Sequence, residues 1–80
     1  MTPQDARELA VRSLEKVAPD IDAAALDGDA GFREDLGLDS LDFLGFVEAL
    51  SDGSGQRIEE DDYPEVSTLN GCVAYLTARG

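Results

Sequence analysis

A serine between two aspartates stands in the segment of this chain best suited to covalent chemistry. Ser40 lies within Gly37-Leu38-Asp39-Ser40-Leu41-Asp42. Aspartate and serine are common N-cap residues, and an acid in the first helical turn interacts favourably with the helix dipole. The segment therefore predicts that a helix begins at Ser40 and that its hydroxyl faces solvent on a rigid element. Ser40 is then either only a cap or a residue that another enzyme modifies.

Other residues offer little support for catalysis. The chain has no histidine, which excludes Ser–His triads and removes the commonest general base and metal ligand. The single cysteine, Cys72, falls on the apolar stripe of a predicted C-terminal helix, so we expect a small core residue rather than a nucleophile. No nucleophile–base pair is visible. The sequence therefore predicts a protein that is not an enzyme.

An acidic segment between residues 20 and 29 suggests a calcium loop, but the spacing fails. An EF-hand needs glycine at its sixth position and glutamate at its twelfth. A loop that starts at Asp27 has Phe32 and Leu38 at these positions, and one that starts at Asp20 has Ala25 and Gly31. We therefore expect no metal site.

The bulk composition limits the class of partner. The 80 residues carry 18 acids and 6 bases, a net charge of −12, which argues against nucleic acid and anionic lipid as partners. An acidic surface favours proteins with basic patches. There is no apolar run long enough to span a membrane, no signal peptide and no possible internal disulfide. We expect a cytoplasmic monomer that forms one domain over residues 1–80.

Apolar periodicity predicts an all-α fold with three main helices and a short additional one. The first helix is predicted over residues 3–17, with Thr2 as its cap and Pro19 after its end. A long loop follows, held to the core by single apolar anchors: Ile21, Leu26, Phe32, Leu36 and Leu38. Residues 51–55 are predicted to break the second helix and form a flexible loop. A short helical turn ends before Pro64. A last helix capped by Ser67 runs to Ala78, and its buried stripe is predicted to be Leu69, Cys72, Val73 and Leu76.

The second helix, from Ser40 to about Leu50, has two distinct sides. Its buried stripe is predicted to be Phe43, Phe46, Val47 and Leu50. Leu41 points almost directly away from that stripe, beside the serine, which makes it a candidate contact for a partner. Between Glu34 and Gln56 there are acids but no lysine or arginine: Glu34, Asp35, Asp39, Asp42, Glu48 and Asp52. The surroundings of Ser40 are therefore predicted to be uniformly negative.

The whole chain resembles the acyl carrier protein family. Residues 35–42 match the family's D-L-G-x-D-S-L-D signature, and the likeness continues without a gap through residues 49–50, 58, 66–69 and 73–76. The resemblance implies that a transferase using coenzyme A and Mg²⁺ esterifies Ser40 with 4′-phosphopantetheine. The arm's thiol then carries acyl intermediates as thioesters between enzymes of fatty-acid, polyketide or related metabolism. It also implies a recognition face for basic partners, formed by Asp39, Leu41, Asp42, Leu44 and Glu48.

Several positions depart from the family's usual pattern. Ser54 replaces an apolar residue, and Gly53 and Gly55 are expected to loosen that region. Gly45 and Glu48 stand where fatty-acid carriers tend to have glutamate and methionine. These differences favour a freestanding carrier for a specialised pathway. Asp39 before the serine favours acyl cargo, while an aminoacyl or peptidyl carrier and an unmodified acidic partner-binding protein remain the alternatives.

Overall fold

Helices make up the regular secondary structure of the computed structural model, which describes residues 1–22 and 25–79. Helix α1 spans Pro3–Val17, α2 spans Ser40–Ser54 and α3 spans Leu69–Arg79. A 3₁₀ helix, Glu60–Val66, lies between α2 and α3. The described ranges contain no strand, which confirms the predicted all-α class.

Helix α1 has the bounds that its end signals predict. The Thr2 side chain accepts a hydrogen bond from the Asp5 amide at 3.1 Å, and Pro3 occupies the first turn, where no amide donor is needed. At the other end the Ala18 amide donates to the Leu14 carbonyl at 2.9 Å. The buried residues of the helix are Ala6, Ala10, Ser13 and Leu14. Ser13 is the member that the apolar pattern did not predict.

The long connection between α1 and α2 is held by four of the five apolar anchors that the sequence indicates; Ile21 is half-buried and does not belong to the core cluster. Phe32 and Leu38 belong to the core, and Leu26 and Leu36 pack against it half-buried. The Phe32 ring meets the Phe46 ring edge-on with centroids 4.9 Å apart. These contacts fix the chain just before α2 begins.

Helices α1 and α2 run antiparallel, and three small residues allow their close approach. Gly45, Ala49 and Gly53 follow one another at four-residue intervals on α2. A Cβ at Gly45 would lie 3.1 Å from a Val17 methyl group, and a Cβ at Gly53 would collide with Leu9. The side chains of Val17 and Leu9 therefore occupy the space that a side chain at either glycine would need.

The structure corrects the predicted end of the second helix. Residues 51–54 are helical, so the helix ends at Ser54 rather than about Leu50, and no flexible loop breaks it there. Gly53 is packed against Leu9 instead of loosening the region. The stop comes at Gly55, whose φ of 68° is the left-handed conformation that favours glycine at a helix C-terminus.

Two further boundaries differ from the prediction. Pro64 does not end the short helix but lies inside it. The 3₁₀ helix continues to Val66, whose side chain is buried in the core. Ser67 does not cap α3. Its hydroxyl donates to the Pro64 carbonyl at 2.8 Å, whereas Thr68 accepts from the Gly71 amide at 2.9 Å and supplies the cap. Leu69, Cys72 and Leu76 are buried as predicted; Val73 is half-buried, and the unpredicted Tyr75 joins the core.

Candidate functional site

Ser40 is the first residue of α2, and Asp39 fixes the start of the helix. The Asp39 backbone is extended, with φ −82° and ψ 179°, and its side chain accepts from the Asp42 amide at 2.8 Å. Its carbonyl accepts from the Phe43 amide at 3.0 Å. The helix therefore begins at the serine, as the sequence predicts, and Asp39 rather than Ser40 is the cap.

The turn before the site brings the chain from the core to the surface within two residues. Gly37 has a φ of 72°, a conformation that a side chain would strain. Leu38 is only 6% exposed, while Asp39 and Ser40 are both exposed. The burial of Leu38 therefore anchors the backbone immediately before the serine.

The Ser40 hydroxyl is available for reaction. Among the described residues no hydrogen bond involves it. Its backbone amide and that of Leu41 also lack an acceptor within these ranges, as expected for the first amides of a helix. The free amides and the helix dipole favour a negatively charged group at this end of α2. The neighbouring acids Asp39 and Asp42 oppose such a group, although the Asp39 carboxylate is itself bonded to the Asp42 amide.

Exposed leucines lie next to this serine. Leu41 is 77% exposed and Leu44 is 40% exposed, whereas Phe43 between them is buried. At about 100° per residue, Leu41, Leu44 and Glu48 fall within one narrow arc of α2. We call these three residues the outer face. The structure thus brings together three of the predicted partner-binding residues.

The other two predicted partner-binding residues lie off this arc. Asp39 is exposed at the end of the helix, whereas Asp42 is half-buried and turned towards the α1 side. The only ion pair among the described residues joins Arg57 to Glu59 at 3.0 Å, far along the chain from the serine. The acids around Ser40 are therefore not neutralised by ion pairs within the described chain.

A cleft with a mixed polar and apolar lining, which the sequence did not identify, opens near the site. It has a volume of about 450 Å³ and lies between the long connection, the first turns of α2 and the 3₁₀ helix. Phe32, Phe43 and Tyr63 form its apolar walls, and the Phe43 and Tyr63 rings meet edge-on at 5.6 Å. Arg33 contributes to the rim. Phe43 lies one helical turn after Ser40, so the cleft is adjacent to the serine.

Cys72 is confirmed as a core residue. It is fully buried, its sulfur lies 3.4 Å from the Val66 carbonyl oxygen, and burial raises the pKa of its thiol to about 12. A thiol with that pKa is not a nucleophile near neutral pH. In the described ranges, no group of three acidic or cysteine side chains is arranged to hold a metal ion, and no helix is long and apolar enough to cross a membrane.

Comparisons with known proteins agree with this geometry. Residues 8–76 match the family described as "Phosphopantetheine attachment site". The fold is similar to that of the acyl carrier protein from Enterococcus faecalis, with a TM-score of 0.77, 24% sequence identity and coverage of 100% of both chains. The structural likeness confirms the fold expected from the resemblance.

Proposed function

The chain belongs to the phosphopantetheine-attachment family, whose prosthetic group is 4′-phosphopantetheine, and from that premise we propose that Ser40 is the attachment residue and that the cargo is acyl. The observation that carries the choice of residue is exposure. The chain has five serines, and Ser40 alone is exposed. Ser13 is buried, and the remaining three are half-buried: Ser51, Ser54 and Ser67.

The surroundings of Ser40 fit a phosphodiester. The two unbonded amides at the start of α2, those of Ser40 and Leu41, would favour its negative charge. Asp39 holds the helix end by capping the Asp42 amide, so these donors are oriented before modification. When bound, the group supplies a thiol that holds cargo as a thioester. The walls of the neighbouring cleft, above all Phe43 and Tyr63, offer apolar contacts close to the attachment point.

We propose that the outer face is the docking surface for the enzymes that use this carrier. Leu41 and Leu44 give apolar contact beside the serine, and Glu48 adds negative charge. Together with Asp39 and Asp42, this surface favours partners that carry basic patches. The partners are a phosphopantetheinyl transferase and the enzymes that load and process the acyl group.

The carrier itself is proposed to be non-catalytic. The chain has no histidine, and its only cysteine is buried with a raised pKa. Its role is to present bound intermediates to enzymes of fatty-acid, polyketide or related lipid metabolism in the cytoplasm. Gly45 and Glu48 differ from the residues usual in fatty-acid carriers, which supports a carrier for a specialised pathway. Asp39 before the serine favours acyl over aminoacyl or peptidyl cargo.

Intact mass after incubation with coenzyme A, Mg²⁺ and a broad-specificity transferase tests the attachment residue. The wild-type chain should gain one phosphopantetheine, and Ser40→Ala should gain none. Ser51→Ala, on the same helix, is the matched control and should be modified fully. An adduct that persists in Ser40→Ala would contradict the assignment, and an unmodified wild-type chain would support the alternative of an acidic partner-binding protein.

The cargo is tested with the modified protein. Acyl and aminoacyl donors are offered with their loading enzymes, and the thioester products are measured by mass. Acyl loading alone is the expected result. Exclusive aminoacyl loading would identify the chain as an aminoacyl or peptidyl carrier and leave the assignment of Ser40 intact.

A further inference from the structure

A second cleft lies on the far part of α2, between that helix and α1. Its volume is about 490 Å³. Leu9, Ala49 and Gly53 form the apolar part of its lining, and they belong to the close contact between the two helices. Because Gly53 and Ser40 are separated by more than three helical turns, about 20 Å along α2, this cleft is distinct from the one beside Ser40.

Ser13 gives this cleft a polar floor. The residue is only 2% exposed and lines the cleft. Its hydroxyl makes no hydrogen bond with the described residues. Buried hydroxyl groups in proteins are nearly always hydrogen-bonded, because an unmade bond costs free energy. The Ser13 hydroxyl oxygen is not among the fully enclosed, unbonded atoms of the described chain, so it opens into the cleft, where water or the polar group of a partner can bond it.

Charge on the rim defines which polar group fits. Arg12 and Lys16 are exposed one turn apart on α1, and Asp52 faces them from α2. No ion pair within 4.0 Å joins these residues in the part of the chain that the structure describes. Two cations and one carboxylate leave the rim with one positive charge, in a protein whose net charge is −12. A single carboxylate neutralises that rim, whereas a phosphate dianion would exceed its charge and meet repulsion from Asp52.

The position of the cleft identifies the source of that carboxylate. Asp52 follows Glu48 by one turn on α2, so one wall of the cleft continues the outer face. A protein docked on the outer face therefore reaches the cleft without leaving α2. The apolar lining suits the methylene stem of an acidic side chain, and the Ser13 hydroxyl can donate to its carboxylate oxygen.

We propose that this cleft receives an aspartate or glutamate side chain of a protein partner docked along α2. The inference rests on the proposed function, because it takes the outer face as the docking surface. The proposal predicts the order of charges on the partner's surface. That surface is basic where it contacts Glu48 and the acids near Ser40, and acidic where it contacts Arg12 and Lys16. Such an alternation selects the partner and its register on α2, because a uniformly basic patch would meet like charge at the far end.

Titration of the ¹⁵N-labelled protein with the blocked tripeptide acetyl-Ala-Glu-Ala-amide tests the cleft. We expect saturable amide shifts at residues of its lining, with a dissociation constant in the millimolar range at low salt. Arg12→Gln combined with Lys16→Gln should weaken binding about fivefold, as expected for the loss of exposed charge pairs. Arg7→Gln, which removes a cation of α1 outside the cleft, should leave the affinity unchanged.

Three results would overturn the proposal. They are the absence of saturable shifts, equal shifts with the matching glutamine tripeptide, and stronger binding of inorganic phosphate, which would assign the cleft to free anions. Ser13→Ala separates hydrogen bonding from charge and should weaken glutamate binding with both cations present. Modification of Ser40 is measured on the Arg12→Gln/Lys16→Gln protein by intact mass. If the cleft does not bind the glutamate tripeptide but Ser40 is modified normally, only the proposal for the cleft is contradicted. If the wild-type protein is not modified at all, the proposed carrier function is contradicted.

Discussion

Two sides of helix α2 carry residue types that are unusual for their surroundings. One side exposes apolar side chains to solvent, and the other has no side chain at two positions that pack against α1. The outer face presents leucines to solvent, with Leu41 77% exposed. The side that meets α1 carries glycine at positions 45 and 53 within the helix. A glycine in a helix interior costs about 1 kcal/mol relative to alanine, and an exposed leucine forgoes the stabilisation of burial.

The causes of these two departures are different. Glycine on the inner side allows α1 to approach until a Cβ at Gly53 would meet Leu9, so packing within the chain accounts for it. Nothing within the described chain covers Leu41, and it lies beside the exposed Ser40. The fold explains the glycines through packing. It does not explain the exposed leucine, which lies next to the proposed attachment residue and is therefore a candidate contact for a partner.

Phe46→Ala should cause the largest loss of stability of the substitutions compared, because Phe46 lies on the buried stripe between the two sides of α2. It is fully buried and contacts the Phe32 ring edge-on. The lost burial and the cavity should cost about 3–5 kcal/mol of unfolding free energy. Since a domain of this size often has little more than about 5 kcal/mol in total, the variant should be largely unfolded in a denaturant melt. A loss below 1 kcal/mol would contradict the assignment of this core.

Gly53→Val should have the next largest effect on stability. A branched side chain at this position meets the end of the Leu9 side chain, which has to move aside, at a cost of about 1 kcal/mol. The matched test is a double-mutant cycle with Leu9→Ala, which removes the opposing methyl groups. Denaturant melts of the four proteins should show that Gly53→Val costs less in the Leu9→Ala background. Additive effects would show that the glycine is not required by that contact.

Neutralising acids of the predicted recognition face should change binding and leave stability nearly constant. Asp42→Asn with Glu48→Gln should lower the association rate with the phosphopantetheinyl transferase about threefold to tenfold at low salt, and dissociation should change less. Salt should remove most of the difference, because exposed charges are screened over about 8 Å at physiological ionic strength. Stopped-flow association rates measure the effect. Glu15→Gln, an exposed acid on α1, is the control. Wild-type binding that ignores salt would contradict the electrostatic role.

Leu41→Ala should have the smallest effect on stability, about 0.5 kcal/mol or less, as is usual for surface positions. Its rate of modification should nevertheless fall about fivefold, because an apolar contact next to Ser40 is lost. Melts and a modification time course on one preparation measure both quantities. If Leu41→Ala unfolds at a clearly lower denaturant concentration, Leu41 stabilises the fold. If the variant is as stable as the wild type and is modified at the wild-type rate, Leu41 is not part of the docking surface.

Local signals explain why much of the fold and the site can be predicted from the sequence. Thr2 and Pro3 define the start of α1 through contacts within one turn, and Asp39 does the same for α2. Helical periodicity likewise places Phe43 and Phe46 inside and Leu41 outside. The position and exposure of Ser40 follow from these short-range rules, so the sequence alone locates the candidate site.

Tertiary contacts decided the features that short-range rules could not reach. The glycine at position 53 predicts the end of a helix, yet the residue is helical. Its packing partner is Leu9, which lies more than forty residues earlier in the chain and cannot be inferred from the local sequence. Ser13 is polar in sequence but buried by the same approach of α1 to α2. The cleft formed with Arg12 and Lys16 exists only where these helices meet. A residue's capping or periodic role depends on its neighbours in the chain, whereas its packing role depends on which distant residue the fold places opposite it.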